Sequence, residues 1–358
     1  MSKYNKLLFW SIVIVSWAIA VFSKLKFNGL MYGLDYGLYH PDGTLYTFRT
    51  LVFAGNSEAE SGIKVANWYA THGFKLKNIS PTSLYFENNS NWTIYKSRIL
   101  YSALSVPFVL FLGIPGMLVI PALSLLILMI VILSIGFHYK NPMLGLLLSV
   151  FLSFSITVDR WMLINSTDSL LTAIFALTVF LLVKFQTNLR VIGLLLLLVV
   201  LSSATRFTFI LWLAISFVLF LNKRLKTSLA ILLTASAGLL PMFFVDFGNA
   251  VLPSANETNI FIKMLHLPYS MFKVGFYEIA ELLILDRLLL LILLISIVVS
   301  IKNYKSISSQ FFIAASIALW ITGAINGTIG VNFRYQLPLL PFIAWTILGN
   351  LSNSKNVK

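Results

Sequence analysis

Residues 99–139 read ILYSALSVPFVLFLGIPGMLVIPALSLLILMIVILSIGFHY, a run without a single Asp, Glu, Lys or Arg. About 20 such residues carry a helix across the hydrocarbon core of a bilayer, and no ordinary soluble interior hides a run of this length. The rest of the chain agrees: of 358 residues, 58% are hydrophobic and 11% charged, with mean hydropathy +0.89. That composition belongs in a membrane. Uncharged runs flank the opening stretch at 7–23, 141–158, 169–183, 191–205, 207–222, 227–245, 288–301, 306–333 and 335–354. We therefore expect one all-α, polytopic transmembrane helix bundle over residues 1–358, with about ten to eleven membrane helices. No small-residue cleavage site follows Leu7–Ser23 before Lys24, so that run is read as a retained first helix.

Several function classes fall away at this level. Cys is absent, which removes disulfides, iron–sulfur clusters and thiol nucleophiles. The four His are scattered without an HExxH-like pair, so no zinc ligand set is visible. The formal charge of +14 points to orientation and contact with membrane lipid or phosphate, and a nucleic-acid partner is not expected.

Charge placement sets the sides. The connections 184–190, 223–226 and 302–305 and the tail from Lys355 carry Lys and Arg but no acid, which marks them as cytoplasmic. Threading alternate crossings from these loops puts 24–97, 159–168, Arg206, 246–286 and Arg334 on the external face, and all 12 carboxylates fall there. Parity then requires an odd number of crossings within 99–139. With breaks at Pro107, Pro115-Gly116 and Pro121, residues 98–113 are expected to enter from outside and stay shallow, while 117–139 crosses. In the large first external loop, 24–97, Thr44–Ala54 and Ser61–His72 have the spacing of short surface helices.

The residues able to do chemistry gather on that external face: Asp35, Asp42 in HPDG, Asp159-Arg160, Asp168, Arg206 and Arg334-Tyr335. Group transfer to a hydroxyl needs a carboxylate to take the proton, and a departing phosphate needs fixed cations. Each residue also has a plainer reading. Asp42 would cap a surface helix starting near Thr44, Asp168 would complement a helix N-terminus, and Arg98, Arg206 and Arg334 would anchor helix ends at the headgroups.

In order along the chain, these pieces resemble the polytopic glycosyltransferases of the GT-C fold, such as protein O-mannosyltransferases and lipid A aminoarabinose transferases. The resemblance rests on Asp42 and Tyr46 in HPDGTLY, the basic entry Lys96-Ser97-Arg98, Arg160 and Asp168 in VDRWMLINSTDSLL, Arg206 in ATRF, and RYQLPLLP at 334–341. It implies transfer of a sugar from a polyprenyl-phosphate donor to a hydroxyl of a glycan, lipid or protein acceptor. Asp42 would be the general base. Arg334, with Arg206 or Arg98, would hold the phosphate, while Asp35, Tyr46, Asp168 and Tyr335 would complete the substrate site. No cofactor is firmly implied, and a divalent cation on the carboxylates stays open because Gly43 stands where many relatives carry a second acid. The isoprenoid tail is expected near the broken segment 98–121, and the location is expected to be a bacterial inner membrane with the active face outward. A transporter or lipid flippase, and a non-catalytic assembly subunit, remain as alternatives to the enzyme.

Overall fold

The structure is a computed structural model, and it describes residues 3–27, 41–71, 98–184, 189–239, 260–325 and 333–353. All regular elements among the described residues are helical. In chain order they are α1 (Lys3–Phe27), α2 (Pro41–Phe53), α3 (Glu58–Thr71), α4 (Ile99–Leu112), a 3₁₀ turn (Ile114–Leu118), α5 (Val119–His138), α6 (Pro142–Ser153), α7 (Ile156–Met162), α8 (Thr167–Lys184) and α9 (Leu189–Ser203). There follow α10 (Phe209–Leu221), α11 (Leu225–Ala237), α12 (Ile260–Leu285), α13 (Arg287–Lys302), α14 (Ile307–Ile325), a second 3₁₀ turn (Arg334–Leu339) and α15 (Leu340–Asn353).

Four helical spans are long and apolar enough to cross a membrane, at Tyr4–Leu25, Ile114–His138, Thr167–Lys184 and Ile307–Ile325. The pair α6 and α7, bent by 65° at its break, supplies a fifth if read as one span. Leu197, Phe217, Leu291 and Val298 point outward from their helices and are half or more exposed. Such an apolar exterior suits lipid and not water, as an integral membrane protein requires.

Local chemistry explains where the elements start and stop. Pro142 opens α6 behind Asn141, whose side chain accepts from the Leu144 amide, the arrangement a helix N-terminus favours. Ser57 and Glu60 cap α3 reciprocally: the Ser57 amide donates to the Glu60 carboxylate at 3.1 Å, and the Glu60 amide to the Ser57 hydroxyl at 3.3 Å. Lys140 and Lys223 end α5 and α10 with φ of 56° and 60°, a left-handed cap usually given to Gly. Here it places a cation beside the helix's negative end. Between α5 and α6 the backbones nearly touch, since a Cβ on Gly136 would lie 2.8 Å from the Gly145 Cα. Only small residues let membrane helices approach this closely.

The described helices share two polar ends. At one, Asn222 donates to Gln310 at 2.7 Å, Asn350 donates to Ser308 and Ser309, and Trp345 donates to Tyr139 at 2.9 Å. Lys140, Lys223, Arg224, Lys302 and Lys305 belong to the same end. At the other, Lys24 pairs with Asp159 at 3.3 Å, and Asp286 caps α13 while accepting from the Ser155 hydroxyl and, at 3.0 Å, the Thr157 amide. The basic connections and the carboxylates of the described residues thus separate to opposite ends, as the charge pattern led us to expect.

Of the three breaks expected in this stretch only the one at Pro115-Gly116 is present, since Pro107 lies inside α4 and Pro121 in the first turn of α5. After α4 the chain turns at Gly113 (φ +68°) and only then enters α5. Helix α4 packs on the loop helix α2, with Ser102 donating to the Tyr46 carbonyl at 3.2 Å. The two surface helices exist but start earlier than expected, α2 at Pro41 and α3 at Glu58. Residues 246–286 need a larger correction, because 260–285 form a 26-residue helix. Lys263, Lys273, Glu278 and Glu281 interrupt every uncharged run there, while its apolar residues keep a helical period.

Candidate functional site

The carboxylate-bearing end is built around Asp168. That residue is the second of α8, directly after the bend at 163–166, where the helix dipole favours negative charge. Its Oδ2 accepts from Arg334 Nε at 2.7 Å and from the Ser166 hydroxyl at 3.0 Å, and its Oδ1 pairs with Arg206 Nη1. All three charged side chains are buried. Two guanidiniums therefore share one carboxylate in a site largely closed to solvent.

Aromatic rings complete the arrangement. The Arg206 guanidinium lies 4.1 Å from the Tyr335 ring centre, and that of Arg334 lies 5.1 Å from the Trp161 ring centre. Arg160 approaches Trp161 as well, at 5.0 Å. A guanidinium stacks on a ring face while its edge still donates, so the rings orient both cations without consuming their N–H groups. The turn Arg334–Leu339 has three residues per turn, which puts Arg334, Tyr335 and Pro338 against a cavity of about 20 Å3 shared with Asp168 and Arg206. Phe333, the residue before it, is held at φ 62°. A bulky residue in the left-handed region costs about 1–2 kcal/mol, and such strain is commonest where a side chain must be aimed.

The loop helix α2 is fastened to this cluster. Tyr46 is buried, its hydroxyl lying 3.2 Å from the Thr167 hydroxyl and accepting from Arg98 Nη1 at 3.2 Å. Asn165 donates to the Tyr69 hydroxyl at 2.7 Å, tying α3 to the same bend. Gly43 lies so close to Asn165 that a Cβ would fall 2.0 Å from its side-chain oxygen. Any residue with a Cβ must either push the Asn165 side chain aside or displace α2. Because α2 begins at Pro41, Asp42 is the second residue of the helix and not the cap of one starting near Thr44. The Asp42 side chain, and Asp35 altogether, lie outside the described residues.

Of the expected site residues, Tyr46, Arg98, Asp168, Arg206, Arg334 and Tyr335 therefore meet in one layer. Three participants were not singled out from the sequence as site residues: Trp161, Asn165 and Tyr69. Trp161 adjoins Arg160 and could have been suspected as a stacking partner, whereas nothing in the sequence links Tyr69 to Asn165. A further carboxylate, Glu278 of α12, accepts from Trp320 Nε1 at 3.2 Å and from Gln336 Nε2 at 3.4 Å. Burial and the nearby Glu281 push its carboxyl up to about 7 against the two hydrogen bonds.

Asp168 does not fit a divalent cation, since both its oxygens face guanidiniums that would repel the metal. Among the described residues no group of three or more His, Asp or Glu converges as a ligand set. The charges that do converge suit an anion with several oxygens. The chain matches no family model, and no curated protein or solved structure is significantly similar to it.

Proposed function

We propose that this protein is a membrane glycosyltransferase of GT-C type, moving a sugar from a polyprenyl-phosphate donor to an acceptor hydroxyl at the carboxylate-bearing, external face of a bacterial inner membrane. The observation that supports it is the joining of two guanidiniums, braced by one carboxylate, to the loop helix whose first turn holds Asp42. In this reading α1, α5, the α6–α7 pair, α8, α9, α10, α11, α13, α14 and α15 are the crossings, and α2, α3, α4 and α12 lie at the external end.

Transfer requires the acceptor oxygen to attack the anomeric carbon as the bond to the phosphate oxygen breaks. Asp42 takes the acceptor proton as general base. The bond electrons leave on the polyprenyl phosphate, where Arg334 and Arg206 stabilise the gathering charge through charge-assisted hydrogen bonds. Asp168 is then a positioning residue for both arginines, and Arg98 and Tyr46 hold α2 over the site.

The decisive experiment compares purified wild type with Asp42→Asn, at matched folding, for sugar release from a panel of polyprenyl-phosphate sugars. Turnover by wild type alone supports the class and the base. Equal turnover by both moves the base elsewhere, and binding without turnover in wild type favours a transporter. Because the chain has no Cys, an introduced thiol at exposed Ser57 should react with an impermeant label from outside, and one at Tyr304 should not. The reverse pattern would put the carboxylates in the cytoplasm and remove the reading.

A further inference from the structure

A second cavity, which adjoins the Arg334–Leu339 turn but shares no lining residue with the charged one, lies between α13 and α14 and has a volume of about 210 Å3. Leu293, Ile297 and Ile301 line one wall, and Phe312, Ile313 and Ile317 the other. From Ile301 to Leu293 is eight residues of helix, about 12 Å of groove at 1.5 Å per residue. The far end is closed by Trp320 and Gln336, both turned to Glu278.

One polar atom inside the groove is unaccounted for. Ser300 is 1% exposed and lines the cavity, yet its hydroxyl has no hydrogen-bond partner among the described residues. The neighbouring serines behave differently: Ser296 donates to the Ile292 carbonyl and Ser316 to the Phe312 carbonyl, each at 2.8 Å. A buried hydroxyl without a partner costs free energy comparable to a lost hydrogen bond, so it marks a place where an acceptor fits.

The mouth of the groove is basic. Ser300 stands two residues before Lys302, the end of α13, and the connection Lys302-Asn303-Tyr304-Lys305 is exposed and free of acid. Asn222 bonded to Gln310 brings Lys223 and Arg224 to the same end. Apolar walls, a donor just inside the rim and cations outside it reproduce, in order, the acyl chain, ester carbonyl and phosphate of a phospholipid.

We propose that this groove binds one acyl chain of an anionic phospholipid drawn from the leaflet at the basic end of the bundle, with the ester carbonyl on Ser300 and the phosphate on Lys302 and Lys305. The site is separate from the transfer site and stands whether or not the transferase reading does.

The test reconstitutes the full chain in nanodiscs of equal phosphatidylcholine and phosphatidylglycerol, re-extracts it in mild detergent, and counts retained lipid by native mass spectrometry. Wild type should keep phosphatidylglycerol in preference to phosphatidylcholine. Ile297→Trp fills the groove and should abolish retention, while Ser300→Ala should weaken it about 2–10-fold, the worth of one hydrogen bond. The exposed pair Lys302→Gln with Lys305→Gln leaves the packing untouched and should remove the headgroup preference, which keeps the proposal testable if Ile297→Trp fails to fold. The proposal is overturned if wild type retains nothing, keeps both lipids equally, or takes up added polyprenyl phosphate in place of phosphatidylglycerol. It is also overturned if a monodisperse Ile297→Trp variant keeps as much lipid as wild type.

Discussion

The two ends of the bundle solve the same problem with different chemistry. At the basic end, helices are fastened by neutral groups: Asn222 to Gln310, Asn350 to two serines, Trp345 to Tyr139. At the other end, buried ions are added to such neutral ties, Lys24 with Asp159 and the two arginines on Asp168. Burying charge carries a desolvation cost that the pairing often only cancels, so ion pairs are a poor choice where stability is the sole requirement. The basic end shows that amides and hydroxyls suffice to hold these helices. The charges opposite them therefore answer to a second demand, which the proposed anionic substrate would supply.

That contrast can be broken by mutation. Asp168→Asn leaves two buried guanidiniums without their carboxylate and should destabilise the protein by about 3–5 kcal/mol, read as a fall in thermal midpoint in detergent. A loss no larger than that of a neutral tie would dissolve the contrast. Gly43→Ala forces a methyl into the Asn165 side chain and should cost about 1–3 kcal/mol by overpacking. The double variant with Asn165→Ala should recover part of that loss, separating the clash from a backbone requirement at residue 43.

Glu278 sharpens the contrast through pH. Its carboxyl holds its proton up to about 7 in the fold but to about 4.5 when unfolded. The folded-state value is the higher one, so its stabilising contribution is full below about 4.5 and is lost as pH rises to about 7. Melting curves between these limits should fall with pH in wild type and stay flatter in Glu278→Gln. A parallel fall in both would assign the pH dependence to other groups.

The neutral ties should be worth less. Asn222→Ala should cost about 1 kcal/mol, the net value of a hydrogen bond. Lys223→Gly, which relieves a left-handed backbone at a residue with a Cβ, should stabilise the helix end by up to about 1 kcal/mol. If it also weakens the outside-positive, inside-negative labelling contrast between Ser57 and Tyr304, the lysine is there for orientation.

The limits of reading the chain as a string follow from the same physics. Hydropathy counts local composition, so the apolar helices and the separation of acids from basic loops were legible at once. It misread 260–285, where charges on one face hide a helix whose other face carries Phe272, Phe276 and Leu283. Residue types identified Asp168, Arg206 and Arg334 as candidates, but equally allowed three independent helix anchors. Asp168 and Arg334 are 166 residues apart, and no local rule couples positions at that distance. Membership of the membrane and the inventory of chemical groups were therefore properties of composition and order, because transfer free energies act residue by residue. The sharing of one carboxylate by two arginines, the seating of Gly43 on Asn165 and the unsatisfied Ser300 in its groove arose only from packing, because each depends on which helices become neighbours.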